Sequence, residues 1–140
     1  MADLAKINGT SIEDLAKLWG KDVADIAKVM GLDVPSGGGD TVTAGTPVVF
    51  ESSKSEYITV TTMDSTHAIV CYKDGGNSDY GTAVALTLSG TTITAGTPVV
   101  FESAAIGYTI VTTMDSTHAI VCYMDGGNSS YGTSNCLTLS

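Results

Sequence analysis

The sequence predicts an all-β fold of propeller-like blades that follows a short α-helical arm. First, a unit of about 50 residues occurs twice: Met63 recurs as Met114, an offset of 51 (114 minus 63) that holds without gaps. Second, short runs rich in Val, Ile, Thr and Tyr lie between clusters of Gly, Pro, Asp and Ser, which is typical of strands. A tandem repeat of this period is typical of propeller blades and not of helical solenoids.

The arm, residues 1–36, contains a smaller repeat of 11 residues. Each unit reads apolar-Ala-Lys-apolar-x-Gly. Ser11 and Asp22 stand at N-cap positions, and a glycine follows each predicted helix. The pattern predicts a first turn and then two short helices over residues 12–19 and 23–30.

Helices of this length are not stable alone in water, so the arm must dock on something. Its apolar side chains either pack between the helices or anchor the protein to a partner protein. The Gly-rich linker at 37–40 favours the anchor, because a module folded against its own domain needs no such tether. The anchoring candidates are Leu15, Leu18, Trp19, Val23, Ile26, Val29 and Met30.

The repeat domain covers residues 41–140, with repeat one at 41–91 and repeat two at 92–140. Each repeat contains four strand-like runs, which we name D, A, B and C in chain order. In repeat one they cover 41–52, 57–63, 67–73 and 80–89. In repeat two they cover 92–103, 108–114, 118–124 and 131–139.

Two blades cannot close a ring, since single-ring propellers contain about four to eight. Open blades would expose apolar faces and strand edges. Three chains would supply six blades, so we expect a homotrimer, with a four-bladed dimer and an eight-bladed tetramer as alternatives. If a blade runs A-B-C-D, the second blade lacks its outer strand, which the first D run of a neighbouring chain could supply.

Composition and charge exclude several functions. The formal net charge is −9, and six Lys are present without any Arg, so we expect no nucleic-acid partner. No apolar run is long enough to span a bilayer, and no secretory signal is visible. Cys71 and Cys122 follow an apolar Val on strand B, so we expect buried free thiols, which fit synthesis in a reducing cytoplasm. Cys71, Cys122 and Cys136 form an odd set without CxxC spacing, which argues against disulfides and zinc; no cofactor or metal is predicted.

His67 and His118 each end an Asp-Ser-Thr-His motif. A nucleophilic triad is one interpretation, but neighbouring residues on a strand point to opposite faces, and no GxSxG motif occurs. A histidine metal site on a threefold axis would lack a nearby Cys or Glu. We favour capping of the A–B turn by Asp64 and Ser65, and we predict no enzyme.

The Asp-Gly-Gly-Asn-Ser loops are either calcium sites or B–C hairpin turns with glycine at positive φ. The closing Glu of an EF-hand is absent, which favours the turn. Tyr57, Tyr80 and their counterparts Tyr108 and Tyr131 are either packing residues or a binding surface. If a ligand site exists, its residues are Asp74, Asn77, Tyr80, Asp125, Asn128 and Tyr131.

Two of the differences between the repeats are informative. Residues 53–56 of the D–A loop become Ala-Ala-Ile-Gly at 104–107, and 83–85 near the start of strand C become Ser-Asn-Cys at 134–136. These differences indicate either a contact of Ala-Ala-Ile with another chain or the arm, or neutral drift.

The plan of two repeats per chain resembles the small bacterial fucose-binding lectins, which trimerise into six-bladed propellers. Their binding residues include Trp and Arg between blades, and the repeat domain has neither. No sugar-binding residue is therefore carried over.

The amino-acid sequence of residues 64–103 resembles the tandem propeller-like repeats of virion proteins in tailed bacteriophages. The sequence of residues 7–29 is similar to short helical segments of phage structural proteins. This resemblance implies a virion component, either a capsid decoration protein or a fibre or tail adhesin. Its arm would anchor it, and its propeller would stabilise the capsid or bind a host glycan or surface protein. The alternative is a free soluble trimeric carbohydrate-binding lectin.

Overall fold

The computed structural model describes residues 40–140 and, before them, Lys6–Ile7, Thr10–Ser11 and Gly20. Contacts divide the chain into two compact units, 1–43 and 44–140. In the first unit, strand β1 (Lys6–Ile7) pairs antiparallel with β2 (Thr10–Ser11), where the sequence predicts a first turn. The predicted helices and all the anchoring candidates lie outside the described residues. Among the described residues, none forms a helix long and apolar enough to cross a membrane.

The second unit is a curled half-barrel sheet of seven antiparallel strands, which confirms the all-β prediction. Its order is β3-β4-β5-β7-β8-β9, with β6 also paired to β5. Strands B and C of both repeats and strand A of repeat one lie within two residues of their predicted bounds, whereas strand A of repeat two is part of a longer strand. The strands are β3 (Ser55–Thr62), β4 (His67–Asp74), β5 (Tyr80–Ser89), β6 (Thr92–Ala95), β7 (Val99–Thr113), β8 (His118–Asp125) and β9 (Tyr131–Thr138).

Strand β7 joins two predicted strands into one of 15 residues. Its first half pairs with β5 and its second half with β8. The predicted D–A loop at 104–107 is therefore wrong. Ile106 is buried, pairs with Asp125 and donates its N–H to the Asp79 carbonyl at 3.0 Å, so the backbone stays extended there.

The predicted D strand of repeat one is also wrong in the single chain. Residues 43–52 and 94–103 have the same ten-residue sequence, TAGTPVVFES. In repeat two this sequence pairs with β5, whereas residues 40–54 form no strand. Since a strand needs a partner edge to satisfy its backbone groups, the available edge decides the conformation.

The two repeats pack face to face around the larger core cluster. We call the buried side chains of repeat one its leading face: Met63, Ile69, Cys71 and Ala83. We call the opposing side chains of repeat two its trailing face: Ile106, Val111, Ala119 and Val121. A smaller cluster in repeat one, centred on Val70, Tyr72 and Val84, is covered by Phe50, Leu86 and Ala95.

Candidate functional site

The Asp-Ser-Thr-His motif builds the turn between strands A and B. Asp64 Oδ1 accepts hydrogen bonds from the N–H groups of Thr66 (2.7 Å) and His67 (2.8 Å). Nδ1 of His67 lies 2.8 Å from Asp64 Oδ2, and the Thr66 hydroxyl donates to Asp64 at 3.0 Å. Asp115, Thr117 and His118 repeat this arrangement.

The predicted capping by Asp64 is confirmed, whereas the role given to Ser65 is wrong. Within residues 40–140, the hydroxyl of Ser65 makes no hydrogen bond. The Thr66 hydroxyl caps no backbone group either, but it donates to the same carboxylate and so helps to fix its orientation. The motif therefore serves the turn in both repeats.

Replacing both capping carboxylates, Asp64→Asn with Asp115→Asn, should lower the stability of the protein at neutral pH. The decrease in stability between neutral and acidic pH should then be smaller than in the unmodified protein. The N–H of Thr66, then the His67 side chain, hold the pKa of Asp64 well below its ordinary 3.8, and Thr117 leads the same effect on Asp115. A depressed folded-state pKa stabilises the fold fully above the ordinary value, and this stabilisation is lost as pH falls below it. Urea unfolding at several pH values from 7 to 2 would measure the effect.

The matched control is Ser65→Ala with Ser116→Ala, which should leave the unfolding midpoint unchanged throughout this pH range. If the double Asn variant loses stability in acid as steeply as the unmodified protein, these carboxylates do not carry the acid response.

The Asp-Gly-Gly-Asn-Ser loops form hairpin turns that connect strands B and C. Asp74 is buried, pairs with Tyr80 across the hairpin, and accepts the Gly76 N–H on Oδ1 at 2.9 Å. Asp125 does the same for Gly127. The predicted turn is confirmed.

The predicted reason for the glycines is wrong. Positive φ falls on Ser78 (55°) and Asp79 (65°), not on a glycine of this loop. The glycines are needed for close approach, since a Cβ on Gly75 would lie 2.9 Å from the carbonyl oxygen of Lys54. The equivalent Cβ on Gly126 would lie 2.5 Å from a carbonyl oxygen of residue 105.

The predicted ligand residues lie together on these hairpins. In repeat one, the Asn77 N–H donates to the Asp74 carbonyl, and the Tyr80 N–H donates to the Asn77 carbonyl. Tyr80 is half-buried, whereas Tyr131 is exposed. In repeat two, Asn128 and Asp125 make the same backbone bonds. No group of three or more His, Cys, Asp or Glu that could hold a metal occurs in the described part of the chain.

Tyr57 and Tyr108 bring the A strands of the two repeats together. Each has φ of 52° at a bulge in its strand, a conformation that costs a non-glycine residue about 1–2 kcal/mol. Their ring centroids are 5.3 Å apart, and Thr61 and Thr113 are joined by a hydroxyl–hydroxyl hydrogen bond of 2.8 Å. These tyrosines therefore pack against each other at the junction of the repeats.

The residues that are equivalent to the junction but lie on the outward sides of the two repeats form the leading face of repeat two and the trailing face of repeat one, and two of them differ sharply in exposure from their counterparts. Met63 on the leading face of repeat one is 6% exposed, whereas the equivalent Met114 is 62% exposed. Val111 on the trailing face of repeat two is 7% exposed, whereas the equivalent Val60 is 61% exposed. Apolar side chains are thus uncovered on both outward faces, although Val70, the equivalent of Val121, is buried by the smaller cluster of repeat one.

The equivalent cysteines of the two repeats also differ in exposure. Cys71 is fully buried at the junction, and this burial raises the pKa of its thiol to about 12. Its equivalent in repeat two, Cys122, is exposed. The prediction that both are buried thiols is therefore wrong for Cys122, which lies on the uncovered side of repeat two.

The segment 53–56 carries charged side chains, whereas the equivalent segment 104–107 lies at the junction of the repeats. In repeat one, Lys73 Nζ lies 3.2 Å from Glu56 and 3.1 Å from Asp79, and Lys54 also pairs with Glu56. The corresponding residues of repeat two are Ala105, Gly107, Met124 and Ser130. The motif search missed this charged cluster, although its members are visible as differences between the repeats.

The expectation that Ala-Ala-Ile contacts another chain or the arm is wrong for Ile106. This residue is buried in the core cluster between the repeats. A Cβ on Gly107 would lie 3.1 Å from Met124 and 3.9 Å from Tyr57 of repeat one. Repeat two is therefore apolar here because it packs against repeat one.

The outer edge of β9 is also uncovered in the described part of the chain. Within the described residues, β9 pairs only with β8, whereas its equivalent β5 is paired on both edges. A cavity of about 430 Å³ opens beside β9 and is lined in part by Phe101, Leu137 and Leu139. The uncovered faces and this edge together form a surface suited to packing against protein.

Comparison with known protein families, characterised proteins and solved structures finds no match to this chain.

Proposed function

We propose that this chain is a non-enzymatic structural protein of a tailed bacteriophage virion, in which three copies close into a six-bladed propeller ring. The observation that carries the ring is the unequal burial of equivalent residues on the two repeats. Met114 and Val60 are exposed at positions whose counterparts, Met63 and Val111, are buried between the repeats. A contact of this kind repeats head to tail.

In the proposed ring, the leading face of repeat two packs on the trailing face of repeat one in the next copy. Such a heterologous contact gives a ring when the rotation closes and a filament when it does not. Propeller rings contain about four to eight blades, and three chains with two repeats each fall in that range. The exposed β9 edge and apolar faces would then be covered.

The virion role is supported by the resemblance of residues 7–29 and 64–103 to phage structural proteins. The arm would bind a capsid or tail protein, and the ring would be displayed on the particle assembled in the host cytoplasm. Both Asp-His pairs cap turns, which agrees with a structural role. The formal net charge of −9 suits a solvent-facing surface that does not bind nucleic acid.

Deletion of residues 1–36 should leave a protein with the native mass of a trimer that no longer joins phage particles. The reason is that the arm and the repeat domain belong to separate compact units. Native mass spectrometry would measure the assembly, and co-sedimentation with particles would measure incorporation, with the full chain as control. Incorporation of the truncated protein would refute the anchor, and a full chain that stays monomeric would refute the ring.

A further inference from the structure

One strand edge and one strand-forming segment of the same chain are left without partners. Among the described residues, the outer edge of β9 pairs with no strand. Residues 44–49 are exposed and belong to no strand, with Val49 76% exposed. The identical sequence at 95–100 runs along the edge of β5 and pairs with it, and β5 is the equivalent of β9 in repeat one.

The chain itself shows how this segment binds such an edge. In repeat two, Glu102 lies opposite Gly81, Val100 opposite Thr82 and Val99 opposite Ala83. The ring of Phe101 packs over Gly81 so closely that a Cβ there would lie 2.5 Å from it. The glycine on β5 therefore makes room for the phenylalanine of the added strand.

Residues 50 and 51 contact their own repeat in the same way as the equivalent residues 101 and 102 contact theirs. The rings of Phe50 and Tyr72 are 5.3 Å apart, and the Tyr72 hydroxyl donates to Glu51 at 3.3 Å. In repeat two, the Phe101 and Tyr123 rings are 5.2 Å apart, and the Tyr123 hydroxyl donates to a glutamate at 3.0 Å. Only the backbone edge of the first segment lacks its partner, so pairing would cost little ordering.

We propose that residues 48–51 pair as an antiparallel strand with β9 of a second copy of this chain. The register follows that on β5: Glu51 opposite Gly132, Val49 opposite Thr133 and Val48 opposite Ser134. This inference rests on the proposed ring and specifies its contact. Gly132 has no atom within 4 Å of the position of an added Cβ, so its face is open for Phe50 of the neighbour.

A second copy is the partner that preserves the observed packing. Phe50 belongs to the smaller core cluster, whereas Leu137 of β9 packs against the larger one. A segment that stays on Tyr72 of its own repeat therefore offers its free edge outward, towards another chain.

The Gly132→Val variant tests the proposal, because it fills the space that Phe50 of the neighbour would occupy. Its Tm in dilute solution should match that of the unmodified protein, while the dissociation constant of the assembly should rise roughly 100-fold, as expected for the loss of a well-packed contact. Gly81→Val is the matched control: it makes the same change against Phe101 within the chain and should disrupt the fold. Analytical ultracentrifugation and thermal unfolding would give both readouts.

Cross-linking tests the register separately. In a background with Cys71→Ala, Cys122→Ser and Cys136→Ser, the pair Val49→Cys and Thr133→Cys should form disulfides between chains upon oxidation. Directly opposite residues of antiparallel strands have the Cα separation that a disulfide needs. The pair Thr82→Cys and Val100→Cys, equivalent in register, should bridge within one chain. A non-reducing gel distinguishes the two.

The outcomes separate this inference from the ring itself. If the unmodified protein and Gly132→Val assemble equally well and the first pair gives no cross-link between chains, strand donation is wrong while the ring stands. If the first pair bridges within a chain, the segment completes its own sheet, and strand donation is wrong. If the unmodified protein is monomeric at all concentrations, both proposals fail.

Discussion

Val60→Asp should abolish assembly without unfolding the chain, whereas Val111→Asp should prevent folding. The two valines are equivalent in sequence, but Val60 is 61% exposed and Val111 is 7% exposed. An unpaired carboxylate is strongly disfavoured in an apolar core and tolerated in solvent. Since domains of this size have a free energy of unfolding of about 5–15 kcal/mol, one buried charge can remove most of it.

Circular dichroism would measure folding, and native mass spectrometry would measure assembly. Val60→Thr is the matched control, since it keeps the shape of the side chain and should assemble with reduced affinity. A Val60→Asp protein that still forms the ring would show that the outward trailing face is not an interface. A well-folded Val111→Asp protein would contradict the core assigned to the junction of the repeats.

The thiol of Cys122 should become protected when the protein assembles. In the single chain it is exposed, and in the proposed ring it takes the environment of Cys71, which is fully buried. Labelling of a Cys71→Ala, Cys136→Ser variant should be roughly 100-fold slower at a protein concentration about 100 times the dissociation constant than in dilute solution. The rate of reaction with a thiol reagent would be followed over a dilution series.

The matched variant keeps Cys71 and replaces the other two cysteines with serine. Its labelling should be slow at every concentration, because burial raises the pKa of the Cys71 thiol to about 12 and the thiolate is the reactive form. If Cys122 reacts at the same rate in dilute and concentrated protein, the leading face of repeat two is not covered by assembly.

Local sequence signals were sufficient for several features. The run His67–Tyr72 predicted β4 because β-branched and apolar residues lie between turn-forming clusters. The Asp-Ser pair predicts capping of the A–B turn, as in Asx and Ser turns, and the structure confirms this for Asp64, which accepts the N–H groups of Thr66 and His67.

The predictions that were wrong concern residues whose conformation depends on contacts with distant parts of the chain. The strand pattern predicts a loop at 104–107, yet Ile106 is buried against the leading face of repeat one. The glycines of the hairpins were assigned to positive φ, yet they are required by a carbonyl from a neighbouring segment, such as that of Lys54 at Gly75. Neither contact can be read from the residues adjacent in sequence.

The sequence by itself determined the all-β class, the two repeats and the turns, because strand propensity and side-chain capping act over a few residues. Only the tertiary structure decided which copy of an identical segment becomes a strand: residues 99–102 pair with β5, whereas residues 48–51 belong to no strand within the described part of the chain. The same holds for Val60 and Val111, whose equal side chains differ in exposure. Both differences arise because strand pairing and burial require a partner surface, and a repeat with a neighbour on one side leaves its other side uncovered.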